Sequence, residues 1–209
     1  MLRYQMTADP KLLVPYFRIR QKYYQRELGV HNLSAEGELQ DRLGVLLIVI
    51  DDEIEGDAAV VGGVRINPIM HQWNGNNCKL LMSNRRQHIE FPYPLKSDAS
   101  FCQWSRLALS VAYRKGHVFK ELCTALLSHS RALGFGYAVN LTGKTRSRFY
   151  RKIHVSLGHT YHTLQTDELS YEPGFAGLEH LLSITDLEQG SLTRLKTSKI
   201  ASATTYKAA

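Results

Sequence analysis

Apolar positions set the frame. GVLLIVID (44–51) is a continuous branched aliphatic run, the pattern of a strand buried on both faces. Glu53–Asp57 follow as a turn, and Ala58–Ile66 reads as a hairpin partner ended by Pro68; the Gly62-Gly63 pair marks a bulge or a close backbone approach. Upstream, Asp9, Pro10 and Gly29 are start and stop signals for a helix over 9–29, with Pro15 delaying its true start and Phe17, Tyr24 and Leu28 on one face. Residues 30–43 are polar and predict a loop with one short helix. Residues 68–100 hold three prolines and predict a lid or an inserted helix. FCQWSRLALSVA (101–112) reads as a strand. Val118, Leu122, Ala125, Leu126 and Leu133 recur at helical spacing over 117–133, and Gly134 stands where a terminating glycine belongs. Tyr137–Leu141 predicts a short strand, Thr145–Lys152 a short basic helix, and Val155–Thr166 one strand or two broken at Gly158.

This order of helices and strands predicts a mixed α/β layer architecture. With 209 residues and no internal repeat, we expect one domain over 1–190 and a basic C-terminal tail over 191–209. Lysine and arginine exceed aspartate and glutamate by 26 to 19, giving +7. Such a surface attracts nucleic acid, phosphorylated cofactors, acidic carrier proteins or anionic membranes, without choosing among them. Three cysteines (Cys78, Cys102, Cys123) with no CxxC spacing argue against a disulfide framework or zinc cluster and predict a cytoplasmic protein. The first twenty residues carry no long apolar run, so no signal peptide is expected, and the longest apolar run is too short to span a bilayer.

The chemistry concentrates in Leu107–Gly158. A strand ends near Val111, a turn carries Arg114, Lys115 and Gly116, and a helix opens at His117. The first amides of that helix, through Val118, Phe119 and Lys120, have no internal partner and lie at the positive end of its dipole. Two cations beside them and a glycine that permits close approach make a phosphate cradle. A solvated basic turn is the plain alternative.

This stretch resembles the core motif of the GNAT N-acyltransferase superfamily: a strand, then Arg/Gln-x-x-Gly-x-Gly/Ala, a long helix, a strand and a short helix bearing a tyrosine. Arg114 matches the leading basic residue, Leu107, Ala108 and Leu109 the strand that contacts pantetheine, and Tyr150 the tyrosine that protonates the departing thiolate. The resemblance implies a mostly antiparallel central sheet with splayed strands and flanking helices, and acyl coenzyme A as donor. Where the family places two glycines this chain has His117 and Phe119, its glycine being displaced to Gly116, which leaves room for an acyl carrier protein as donor. A narrower resemblance, to acyl-homoserine-lactone synthases and long-chain N-acyl amino acid synthases, rests on Arg20 with Tyr24, on Gly62-Gly63-Val64-Arg65, and on Gln103-Trp104-Ser105-Arg106-Leu107. Gln103 replaces a glutamate of that pattern, the expected loop tryptophan is absent, and Asp41 is the nearest candidate for its acidic pair.

The resemblance thus implies Tyr150, Gln103 and Ser105 at the reacting centre and Arg20, Tyr24, Arg65, Trp104 and Arg106 around a small amine acceptor. A strand amide near Leu107–Leu109 would polarise the thioester. Glutamine cannot take a proton, so the base is an oriented water, His117 or His154, or the amine enters already neutral. Plain readings stand beside these: Tyr150 as a packing residue, Arg65 and Arg106 as ion-pairing residues on adjacent strands, Trp104 as core or acyl-pocket wall. His159 and His162 lack a third ligand nearby, and no metal is expected. The cluster Arg146, Arg148, Arg151 and Lys152 comes without a recognised nucleic-acid motif. Ile89, Phe91, Tyr93 and Leu95 supply apolar wall for an acyl pocket. The alternative function is a non-catalytic module of the same fold binding an acyl carrier, a phosphorylated ligand or RNA.

Overall fold

A computed structural model describes residues 1–74, 77–82, 85–90, 98–166 and 180–188. The chain runs β1 (Leu2–Thr7), α1 (Pro10–Leu28), α2 (Leu39–Leu43), β2 (Val45–Asp51), β3 (Val60–Asn74), β4 (Asn77–Met82), β5 (Arg85–Glu90), β6 (Phe101–Leu109), α3 (Gly116–Ala132), β7 (Tyr137–Gly143), α4 (Lys144–Ser156), β8 (His162–Thr163), β9 (Gln165–Thr166) and β10 (His180–Asp186). The main sheet has the order β1-β2-β3-β6-β7-β10-β8 among the described residues. Every pairing in it is antiparallel except β6 with β7, which is parallel. The far end of β3 pairs with β4, β4 with β5, and β5 with β9.

The β2 run is apolar throughout because helices cover both faces. Leu46, Ile48 and Ile50 join Tyr16, Phe17, Tyr23 and Tyr24 of α1 in one core. Leu47 and Val49 point the other way, into a core with Val118, Leu122, Leu126 and Leu127 of α3. Gly63 lets α1 sit close: a Cβ there would lie 2.9 Å from the Tyr16 ring.

Several boundaries differ from the sequence expectation. Helix α1 starts at Pro10, capped by Asp9, and keeps Pro15 inside it, so the proline forfeits one hydrogen bond without delaying the start. Strand β3 passes through Pro68, which pairs with Cys102 of β6. Its β2 side is already free there, since β2 ends at the Val45–Ile66 pair, and an edge tolerates the missing N–H. Where described, 68–90 forms strands rather than an inserted helix, and 98–100 is a turn leading into β6. Helix α4 continues to Ser156 and is stopped by Gly158 at φ 80°, so the strands expected from Val155 reduce to β8 and β9. Phe91, Tyr93, Leu95, the side chain of Ile89 and the tail 191–209 lie outside the described residues. No helix among the described residues is long and apolar enough to cross a membrane.

Candidate active site

Strands β6 and β7 are in register for four residue pairs, Phe101–Tyr137 to Trp104–Asn140, and then part. A β-bulge begins where pairing is lost. Gly63 faces Ala108 and Arg65 faces Ser105, leaving Arg106 and Leu107 opposite Val64. The extra residue inverts the pleat: Cys102 and Trp104 belong to the α3-side core, whereas Ala108 belongs to the α1-side core. Arg106 carries the one positive φ of a non-glycine residue among the described residues, 57°. It is held from both ends. The fully buried Tyr16 donates its hydroxyl proton to the Arg106 carbonyl at 2.6 Å, and the guanidinium grips Glu38 through Nε (2.8 Å) and Nη2 (3.0 Å). In a trans peptide the N–H points opposite to the C=O, so the Leu107 amide faces away from α1.

The gap opened by the parting strands is a cavity of about 480 Å³. Tyr23, Tyr24 and Leu28 of α1 wall it on one side, Phe119, Phe149 and Tyr150 on the other, with Trp104–Leu109 and Leu141–Gly143 as its strand edges. Arg106, Arg114, Lys115, Lys144 and Arg146 line it, and no carboxylate does among the described residues. Two helices begin here without a side-chain cap: α3 after Lys115 and α4 after Gly143. In α3 the Phe119 amide is the first to find a helical acceptor, the Lys115 carbonyl at 3.1 Å, and a Cβ on Gly116 would meet nothing within 4 Å. His117 is exposed and lines a separate shallow hollow with Tyr113 and Asp51. Phe119 folds inward, its ring 5.0 Å from both Phe149 and Tyr150. The bulky side chains that replace glycine therefore leave the first turn uncovered.

Of the residues singled out in the sequence, Tyr24, Trp104, Ser105, Arg106, Leu107, Ala108, Leu109, Arg114, Lys115, Phe119 and Tyr150 meet on this wall. Val118 is buried in the core, Lys120 is exposed, and Gly116 and His117 sit at the start of α3. Arg114 is engaged: it donates to the Leu109 carbonyl (2.8 Å), pairs with Glu27 and stacks over Tyr23 at 4.7 Å. Tyr150 is 5% exposed, against the Tyr161 ring. Burial drives its pKa well above the usual tyrosine value, so it keeps its proton. Tyr161 is itself fixed by a 3.0 Å hydrogen bond to Asn140.

Arg20, Arg65 and Gln103 are not on the cavity wall. Arg20 is fully buried in a two-pronged pair with Asp41 (2.8 and 2.9 Å), and Arg65 binds Asp41, Glu38 and Ser105 at 3.0 to 3.1 Å. Arg65 and Arg106 are thus joined through Glu38 rather than paired with each other. Burial would raise both carboxyl pKa values. The Arg106 hydrogen bond at Glu38, the Arg20 hydrogen bond at Asp41 and the surrounding guanidinium charges outweigh it and hold both below the usual range. Gln103 lies in the sheet opposite Asn67. His154 is fully buried, Nδ1 against the Tyr150 carbonyl at 2.8 Å and its ring stacked on Trp104; burial lowers its pKa to about 4. Neither His117 nor His154 stands on the cavity wall as a base. Glu38 and Tyr16 were not foreseen. The spacing Glu38-x-x-Asp41, one helical turn at the start of α2, was the available signal for the first.

The parted parallel strands, the bulge and the flanking helices are those of the GNAT acyltransferase fold. Searches of protein-family models and of curated protein sequences return no match. Solved structures do match. The acyl-homoserine-lactone synthase LasI aligns at TM-score 0.59 and 16% identity over 90% of this chain and 90% of its own. The coenzyme A-dependent acyl-homoserine lactone synthase BjaI aligns at 0.59 and 17% over 90% and 83%. A GNAT-family acetyltransferase from Staphylococcus aureus aligns at 0.53 and 8% over 90% and 99%. At such identities the likeness establishes the fold.

Proposed function

We propose that this chain is an N-acyltransferase that moves an acyl group from a pantetheine thioester, acyl coenzyme A or acyl carrier protein, to the amine of a small metabolite. The parting of β6 from β7 carries the reading: it opens a cavity lined by five cations and, among the described residues, no carboxylate, in front of two uncapped helix starts. The pantetheine arm replaces β7 along Leu107–Leu109, and its phosphates meet the first turn of α3 with Lys115. The acyltransferases that share the fold support the same reaction class.

In this reaction the amine lone pair attacks the thioester carbon, and the Leu107 amide receives the developing oxyanion. The tetrahedral centre then collapses: the C–S bond breaks, the amide forms, and the sulfur leaves with a proton. Tyr150, kept protonated by burial, donates to that sulfur, with Arg146 drawing its pKa downward. With no carboxylate on the wall among the described residues, the amine's proton leaves to water and the acceptor reacts in its neutral form. Arg106 and Tyr24 border the acceptor side.

The test measures thermal stabilisation by coenzyme A, acyl coenzyme A, acyl carrier protein and RNA, then thiol release with a panel of amines. Stabilisation by the acyl donors with amine-dependent thiol release is expected. Replacing Tyr150 by Phe should lower kcat about 100-fold with donor affinity retained. Donor binding without release in any amine would make the chain a binding module; stabilisation by RNA alone would end the donor reading.

A further inference from the structure

We infer that Trp104 closes the inner end of the thioester cavity and restricts the enzyme to short acyl groups. The inference rests on the donor reading above but concerns a different part of the cavity.

Trp104 occupies the last rung at which β6 and β7 are still paired, opposite Asn140. It is therefore the point where the wedge between the strands comes to its apex. Its side chain is 4% exposed and lines the cavity. It is fixed from behind on two sides. The indole N–H donates to Oγ of the fully buried Ser130 on α3 at 2.9 Å, and the ring lies 5.7 Å from His154 of α4 at 25°. Cys102, Leu126, Leu127 and Ala138 share its core cluster. A thioester carbonyl beside Leu107 lies three residues outward from Trp104 along β6. An acyl chain continuing inward between the strands meets the flat indole, with its one polar atom already bonded, and stops.

The side chain is large and, apart from Ser130 and His154, packs among the apolar Cys102, Leu126, Leu127 and Ala138, so truncation should extend the cavity inward. Apolar cavities of roughly 150 Å³ left by core truncation stay dry and admit an apolar guest. A longer acyl chain is such a guest.

The probes are S-alkyl coenzyme A thioethers from ethyl to dodecyl, which cannot react, and the same S-alkyl pantetheine arms loaded on acyl carrier protein. Affinity is read by calorimetry for wild type, Trp104→Phe and Trp104→Ala, with folding checked by circular dichroism. In wild type, affinity should hold from ethyl to butyl and fall at least tenfold by octyl. In Trp104→Ala the octyl thioether should gain at least tenfold over wild type while unmodified coenzyme A changes less than twofold, with Trp104→Phe between. The wild-type series decides even where the Ala variant does not fold. Wild type binding octyl as tightly as ethyl overturns the inference, as does a folded Trp104→Ala with the wild-type length profile; either leaves the donor reading in place. No binding of coenzyme A or carrier protein at any chain length overturns both.

Discussion

Two arginine-rich regions meet at Arg106 and treat charge in opposite ways. Behind β6, Arg20, Arg65 and Arg106 enclose Glu38 and Asp41, and every guanidinium reaches a carboxylate at 2.8 to 3.1 Å. In front of β6, Lys115, Lys144 and Arg146 face the cavity with no carboxylate partner among the described residues. The first region is an internal brace: each of its three cations is paired with one or both of two carboxylates, and Arg20 and Arg65 are buried away from the cavity. The second holds a standing positive field around an opening, which is what an anionic carrier needs. Residue type does not separate them; pairing does. The brace also serves the opening, since Glu38 holds Arg106 at the bulge.

This contrast can be broken at several points. The largest effect is expected in the brace. Asp41→Ala leaves buried Arg20 without its two-pronged partner, and breaking a buried pair this way costs about 3–5 kcal/mol; denaturant unfolding measures it. Next comes a pH effect from beneath the cavity. His154 titrates at about 4 when folded against 6.5 for the free side chain. Its contribution to stability is therefore complete above pH 6.5. Below that the unfolded chain binds a proton the folded site refuses, and stability falls until the pH reaches the folded value. The loss approaches roughly 3 kcal/mol between pH 6.5 and 4, and His154→Gln should flatten that part of the unfolding free-energy curve. At the opening, Lys144→Glu with Arg146→Glu should weaken donor binding about tenfold, or about 1.4 kcal/mol, with the unfolding midpoint nearly unchanged. The smallest effect is expected for Tyr16→Phe. Removing the hydroxyl that aims the Arg106 carbonyl costs about 1 kcal/mol. It should lower kcat several-fold at constant KM, which a purely structural hydrogen bond would not do.

Much of this was legible in the chain. The run at 45–50, the 3.6-residue period of α3 and the glycine stops at 29 and 134 announce their elements, because each records a local burial pattern or a left-handed turn. The bulge was hinted at by Gly62-Gly63. Strand β1 was not legible: LRYQMT is short and only partly buried at the sheet edge, so no alternation marks it. In α4, the buried positions Ser147, Tyr150, Ile153 and His154 are half polar, so the hydrophobic period ends before the helix does. The cavity wall could be read as far as β6 and the start of α3, where one contiguous motif supplies it. Tyr16, Glu38, Lys144 and Arg146 come from elements far apart in sequence, and only the packing of α1, α2 and α4 around the parted strands brings them together.

Backbone amide chemical shifts recorded while coenzyme A is titrated in test the central claim most directly. The largest changes are expected at Ser105–Leu109, at Gly116–Phe119 and at Thr142–Arg146, the three backbone segments around the gap. Changes confined to the outer face of α4, at Arg148, Arg151 and Lys152, with Leu107 and Gly116 unmoved at saturation, would contradict it.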